Sequence, residues 1–219
     1  MVAAEGGSYA FGMYHGEKFN SISHLIGGLL ALAGIALLNA AALRVGSPWL
    51  LVGCLIYSAA IILMFAISTL YHSTKGPKKA LLRKLDHIAI FVMIAGTFTP
   101  FCLGPLREGV GVVLLAAVWA LALVGGILDF WLAHRTRVPS FILYFVMAFL
   151  AVAAFPGLEK TLPLSALAWI KGGDYLFALG FVFYLFDKKF RGQHLHGVWH
   201  LFVIAGAFCQ FVSVFGYLV

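Results

Sequence analysis

Two histidines four residues apart, His196 and His200 in the run HGVWH, open the last apolar segment of a 219-residue chain in which 63% of residues are hydrophobic and only 11% charged. A spacing of four places both imidazoles on one face of a helix, about one turn apart, which is the geometry that a single metal ion needs. Polar groups are costly in such surroundings and usually mark function. A second pair lies in ISTLYH, where Ser68 precedes His72 by four and shares its helical face. A carboxylate, Asp86, opens a further apolar run in KLDHIAIF. Three neutral imidazoles with one open position make a catalytic zinc site, where the metal lowers the pKa of a water to ~7 and polarises a carbonyl. Other divalent ions also accept imidazole; zinc is favoured by its tolerance of tetrahedral nitrogen ligation. In the HExxH helix of metalloproteases a glutamate follows the first histidine, whereas here Gly197 does. The acid or base must therefore come from elsewhere, and Asp86 is the candidate.

Whether these residues meet depends on the segments that carry them. A mean hydropathy of +1.00 leaves too little polar surface to coat a soluble globule. Crossing a hydrocarbon core takes ~20 helical residues. Apolar runs of that order predict spans at 22–43, 48–72, 86–106, 110–133, 139–156, 164–187 and 196–219, in an all-α, seven-transmembrane helix bundle. Breaks are expected at Gly46-Ser47-Pro48, Lys75-Gly76-Pro77, Pro105 to Gly109, Arg137 to Pro139, Pro156-Gly157 and Arg191-Gly192. Pro100 should kink the third span. Lys171, Gly172, Gly173 and Asp174 interrupt the sixth, so residues 163–171 are expected either to cross or to lie along the interface before a shorter crossing. No composition shift divides the chain, so residues 1–219 read as one domain with a short polar N-terminal stretch, 1–20, in which no removable signal peptide is recognisable.

The net charge of +7 does not point to nucleic acid, because the fifteen Lys and Arg residues sit in loops between apolar segments. Placing the N-terminus in the cytoplasm puts eleven of the fifteen on the inner side, leaving Arg44, Arg107, Lys160 and Lys171 outside. The expected topology is thus N-terminus inside and C-terminus outside, in the plasma membrane. All eight histidines then fall at or near the inner ends of spans. His72 ends the second span, His196 and His200 begin the seventh, and Asp86 begins the third, so four polar side chains could surround one ion.

Each residue has a plainer reading beside the chemical one. A histidine pair near a helix end can anchor at the interface, and Asp86 can favour the N-terminal helix dipole while pairing with Arg83 or Lys84. His24 and Glu17 could orient a ligand from behind, or be an interfacial histidine and a solvated glutamate. His87 points roughly 100° away from Asp86 and reads as structural, and His15, His134 and His194 read as loop residues. Asp129 is expected to pair with Arg135 or another inner cation. Gly27, Gly28, Gly34, Gly125 and Gly126 suit close helix packing, since no phosphate-binding pattern surrounds them. Phe183, Tyr184 and Phe186 suit interface anchoring or core filling. Cys54, Cys102 and Cys209 read as small core residues.

SISHLIGG, STLYHS, LDHIAIFVMIAGTFTPF and HGVWHLFVIAGA, in that order, resemble the bacterial hemolysin III branch of the progestin and adipoQ receptor family, and the resemblance spans the chain from Glu17 onward. It implies a seven-helix bundle with a cytoplasmic N-terminus. It implies zinc held by His72, His196 and His200, a water between the metal and Asp86, and Ser68 as the family serine. The likeness of the family to alkaline ceramidases implies hydrolysis of a lipid amide, with a membrane lipid as substrate or ligand, whereas the hemolysin name implies lysis. A metal that is only structural would instead make the chain a sensor or regulator of membrane lipid state. A pore-forming cytolysin is the poorer fit, since no amphipathic insertion segment is visible.

Overall fold

The computed structural model describes residues 16–132, 136–187 and 194–219. His15, His134, Arg135 and Arg191, all named above, lie outside the described residues. Within them the chain forms seven helices and no strand: α1 (Lys18–Val45), α2 (Pro48–Ser73), α3 (Lys78–Leu103), α4 (Gly111–Leu132), α5 (Val138–Thr161), α6 (Leu164–Asp187) and α7 (Leu195–Tyr217). Each is long and apolar enough to cross a membrane, spanning ~33–42 Å at 1.5 Å per residue. Large apolar side chains point outward, among them Leu43 at 64%, Val113 at 72% and Phe149 at 72% exposure. Such a surface is stable only in lipid, where backbone groups are satisfied inside each helix. The chain is a multi-pass membrane protein.

Short connections force neighbouring helices to run antiparallel. Gly46 ends α1 in the left-handed region, at φ 75°, where a side chain would be strained, and Pro48 opens α2 two residues later. Ser47 caps α2 by accepting from the Leu50 N–H at 3.4 Å. One end of the bundle therefore gathers the start of α1, the end of α2 and the starts of α3, α5 and α7. The opposite end gathers the remaining loops, where Ser47, Gly104, Thr161 and Tyr217 surround an open cleft.

Two helices, α3 and α5, run well past their apolar runs, and α6 takes one of the two courses expected for it. α3 begins at Lys78, eight residues before the apolar stretch, because its first turns carry Lys78, Lys79, Arg83 and Lys84 and need no lipid contact. α5 continues through Pro156 to Thr161, where the Leu162 N–H closes the last turn on the Leu158 carbonyl at 2.8 Å. α6 is a single helix across Lys171 to Asp174, not an interfacial stretch followed by a shorter crossing. Its polar residues are accommodated by neighbours: the Gln210 amide donates to Asp174 Oδ1 at 3.0 Å, and the Lys171 ammonium sits 4.6 Å from the centre of the Phe155 ring.

Small residues set the interhelical distances. Gly27 faces Phe65, Gly34 faces Phe211 and Gly125 faces Phe91, as expected of packing glycines. The main chains of α2 and α3 come close at Gly53, where a β-carbon would lie 2.8 Å from the Pro100 Cα, within the helical part of α3. Backbone cannot swing aside, so Gly53→Ala is expected to push α2 from α3 and cost about 1–3 kcal/mol. Thermal unfolding of the purified variant in detergent would register this as a lower Tm; an unchanged Tm would show that the two helices are not in firm contact there.

Candidate metal centre

His72 reaches the site because α2 ends there with Ser68 one turn behind it, and both are buried, each at 2% exposure. His196 and His200 enter from the first two turns of α7, with rings 4.8 Å apart. The His72 ring lies 5.1 Å from that of His196 and 4.9 Å from that of His200. One ligand atom from each of the three histidines lies within 4.8 Å of the others, so the group could hold a metal ion.

Hydrogen bonds leave two of these rings ready to ligate. Glu17 Oε2 lies 2.6 Å from His72 Nδ1. The Glu17 carboxyl, just before α1, meets opposing influences. Burial pushes it up, but hydrogen bonds from His72 and Asn20, the His72 charge and a hydrogen bond from Lys79 prevail and hold its pKa down to about 2. A carboxylate only accepts, so Nδ1 of His72 carries a hydrogen and Nε2 is the nitrogen whose lone pair a metal would take. That Nε2 is buried and has no partner among the described residues. The same logic applies to His200, whose Nδ1 lies 3.1 Å from the Asn20 carbonyl and 3.2 Å from Ser23 Oγ. Ser23 gives its own hydrogen to the Asn20 carbonyl at 3.0 Å, so both contacts of Nδ1 are to acceptors and the lone pair again falls on Nε2. Metal-binding histidines are characteristically held in this way by carboxylates and carbonyls behind them. The His196 main-chain N–H donates to Asp187 Oδ1 at 3.1 Å, fixing the first turn of α7 against the end of α6.

Asp86 arrives from α3 and accepts a hydrogen bond from Ser68, with His72, Arg137 and Glu17 as charged neighbours. It is absent from the group of ligand atoms within 4.8 Å. The carboxylate is therefore beside the histidines and not among them. Among the described residues no ion pair joins Asp86 to Arg83 or Lys84, its expected partners. Asp129 pairs with a cation of the same end, Arg137, at 3.6 Å, and accepts from Ser140 at 2.6 Å. His87 is buried apart from the cluster, its carbonyl accepting from the Tyr144 hydroxyl at 2.8 Å. Tyr184 does more than anchor: its ring lies 5.7 Å from that of His196.

Sequence reasoning placed Glu17 and His24 only as alternatives, and it missed Asn20, Ser23 and Lys79. Lys79 donates to Glu17 Oε1 at 3.1 Å. The signal for the α1 group was present, since Glu17, Asn20 and His24 fall at helical spacing on one face. Gly197 also acquires a reason. A side chain at that position would collide with the Phe19 ring and approach Asn20 Oδ1 to 3.0 Å. Its absence lets α1 lie close enough for the Asn20 carbonyl to reach His200.

Comparison with known proteins bears on the same residues. The family model described as haemolysin-III related matches residues 13–211. The chain belongs to the haemolysin III family. Among its relatives is the Hemolysin-3 homolog of Bacillus subtilis (strain 168), 37% identical over 204 residues that cover 93% of this chain and 94% of that protein. Hemolysin-3 of Bacillus cereus is 34% identical over 203 residues, covering 92% and 91% respectively. The human monocyte to macrophage differentiation factor is 27% identical over 200 residues, covering 86% of this chain and 78% of its own length. The match spans all the site residues of this haemolysin III chain, from Glu17 to His200.

Proposed function

We propose that this chain is a zinc-dependent hydrolase that cleaves an amide or ester bond of a membrane lipid, as a single domain in the plasma membrane with its N-terminus in the cytoplasm. The observation that carries the reading is the pairing of two kinds of group: imidazoles whose Nδ1 atoms are already engaged, and a separate carboxylate held by a serine. His72, His196 and His200 would hold the ion, and the orphaned, buried Nε2 of His72 fits that role. Zinc, when bound by three imidazoles, supplies a Lewis acid and a water acidified to a pKa of ~7.

The remaining steps belong to protein groups. Ser68 donates to the Asp86 carboxylate and fixes its orientation, leaving the second oxygen to take a proton from the attacking water. Asp86 then returns that proton to the leaving amine or alcohol. Glu17 and Asn20 keep the rings of His72 and His200 in one tautomer throughout. A lipid whose tail lies along the helices and whose scissile bond sits at headgroup depth matches a site at one end of the bundle. The position of Asp86 outside the ligand group favours this over a closed, purely structural site. The names of the two bacillary relatives favour a second reading, membrane lysis, whose signature would be leakage of liposomes independent of zinc.

Protein purified into nanodiscs is expected to contain about one zinc per chain. It should release fatty acid from an N-acyl or O-acyl lipid, lose that activity on chelation and regain it with zinc. Metal-free protein with unchanged hydrolysis would sink the proposal.

A further inference from the structure

Histidine 24 is buried, at 4% exposure, and both of its ring nitrogens lack a partner among the described residues. Its ring stacks on His200 with centroids 3.6 Å apart and planes 15° from parallel, and it meets Phe65 edge-on at 5.2 Å. Stacking accounts for a flat ring but not for nitrogens, since a phenyl group would stack without leaving polar atoms dry. An unsatisfied buried donor or acceptor is destabilising, and such groups call for a water, ion or ligand as partner. Another orphan lies one turn away on the same helix, the buried hydroxyl of Ser21, and a third at the site itself is His72 Nε2. The metal accounts for His72 alone.

His24 is not a further metal ligand of the same rank, because the atoms that cluster within 4.8 Å come from His72, His196 and His200. It occupies the layer next to them. An ion held ~2 Å from Nε2 of His200 lies near the plane of that ring, and a parallel ring one stacking distance away is within hydrogen-bond reach of an oxygen that approaches the ion from its side. Asp86 and Ser68 come from α2 and α3, whereas His24 comes from α1, so the two sets flank the histidine cluster from different helices.

We propose that His24 binds the oxygen ligand of this site, donating a ring N–H to a carbonyl or carboxylate oxygen of the acyl group. The inference rests on the metal reading of His72, His196 and His200, and gives the acyl-recognition role to α1. A neutral imidazole has one donor and one acceptor; the donor serves the ligand, and the acceptor is left for a water.

The test uses the full chain loaded with Co²⁺, whose visible spectrum reports the ligand set, and acetohydroxamate as the probe. His24→Phe keeps the stack and removes the donor. It should retain cobalt and the spectrum of the ligand-free site while binding acetohydroxamate about tenfold more weakly, as expected for loss of one hydrogen bond. His24→Gln, which restores an N–H, should recover part of that affinity. Equal affinity in wild type and His24→Phe would overturn the inference, as would loss of cobalt from a folded His24→Phe protein, which would make the residue part of the metal's own cage. Wild-type protein that takes up no cobalt would overturn the metal reading itself, and this inference with it.

Discussion

Replacing His72 by alanine is expected to empty the metal site, lowering zinc from about one per chain to a small fraction of that in purified protein. The effect is large because His72 is joined to the site on both sides. Its Nε2 is buried without a partner among the described residues, and its Nδ1 holds Glu17 at 2.6 Å. The variant loses a ligand and also leaves the Glu17 carboxylate with only Asn20 and Lys79. His200→Ala should have the same outcome, since it removes a ligand anchored by Asn20 and Ser23. Glu17→Gln provides a graded control. It keeps all three imidazoles but weakens the acceptor behind His72, so affinity should fall about 10- to 100-fold without abolition of binding. Inductively coupled plasma mass spectrometry of folded, monodisperse samples reads all three variants. Unchanged zinc in both alanine variants would refute the site.

The sequence made some of this legible and concealed the rest for identifiable reasons. Seven helices are visible because each apolar run must be long enough to cross lipid, a constraint that leaves few alternative assignments. The convergence of His72 with His196 and His200 followed from alternating helix directions, which bring the end of α2 beside the start of α7 without knowledge of side-chain packing. The first turns of α3 were hidden because Lys78 to Lys84 have no apolar run to detect, although they are helical. α6 seemed interrupted because Lys171 and Asp174 are polar, yet their partners Phe155 and Gln210 lie on other helices. The bond between Glu17 and His72 joins residues 55 positions apart in sequence. No local period encodes it; only the helical spacing of Glu17, Asn20 and His24 hinted that one face of α1 turns inward.

Asp86→Asn discriminates between a carboxylate that moves protons and one that holds metal. The amide has nearly the same shape and its carbonyl oxygen can still accept from Ser68, so the fold and the histidine cluster should survive. What disappears is the ability to take a proton. Lipid hydrolysis should then fall about 10²- to 10⁴-fold, the usual contribution of a general acid–base group, while zinc stays at the wild-type level. Ser68→Ala should cost less, because it removes only the hydrogen bond that orients Asp86. If Asp86 instead bound the ion directly, Asp86→Asn would release metal and lower Tm together, as expected when a structural site is opened. Measuring fatty-acid release, zinc content and thermal unfolding on the same preparation separates these outcomes. Activity lost with metal retained identifies a base, whereas metal and stability lost together identify a ligand. The structure favours the first outcome, since Asp86 is tied to Ser68 while the atoms that converge within 4.8 Å belong to histidines.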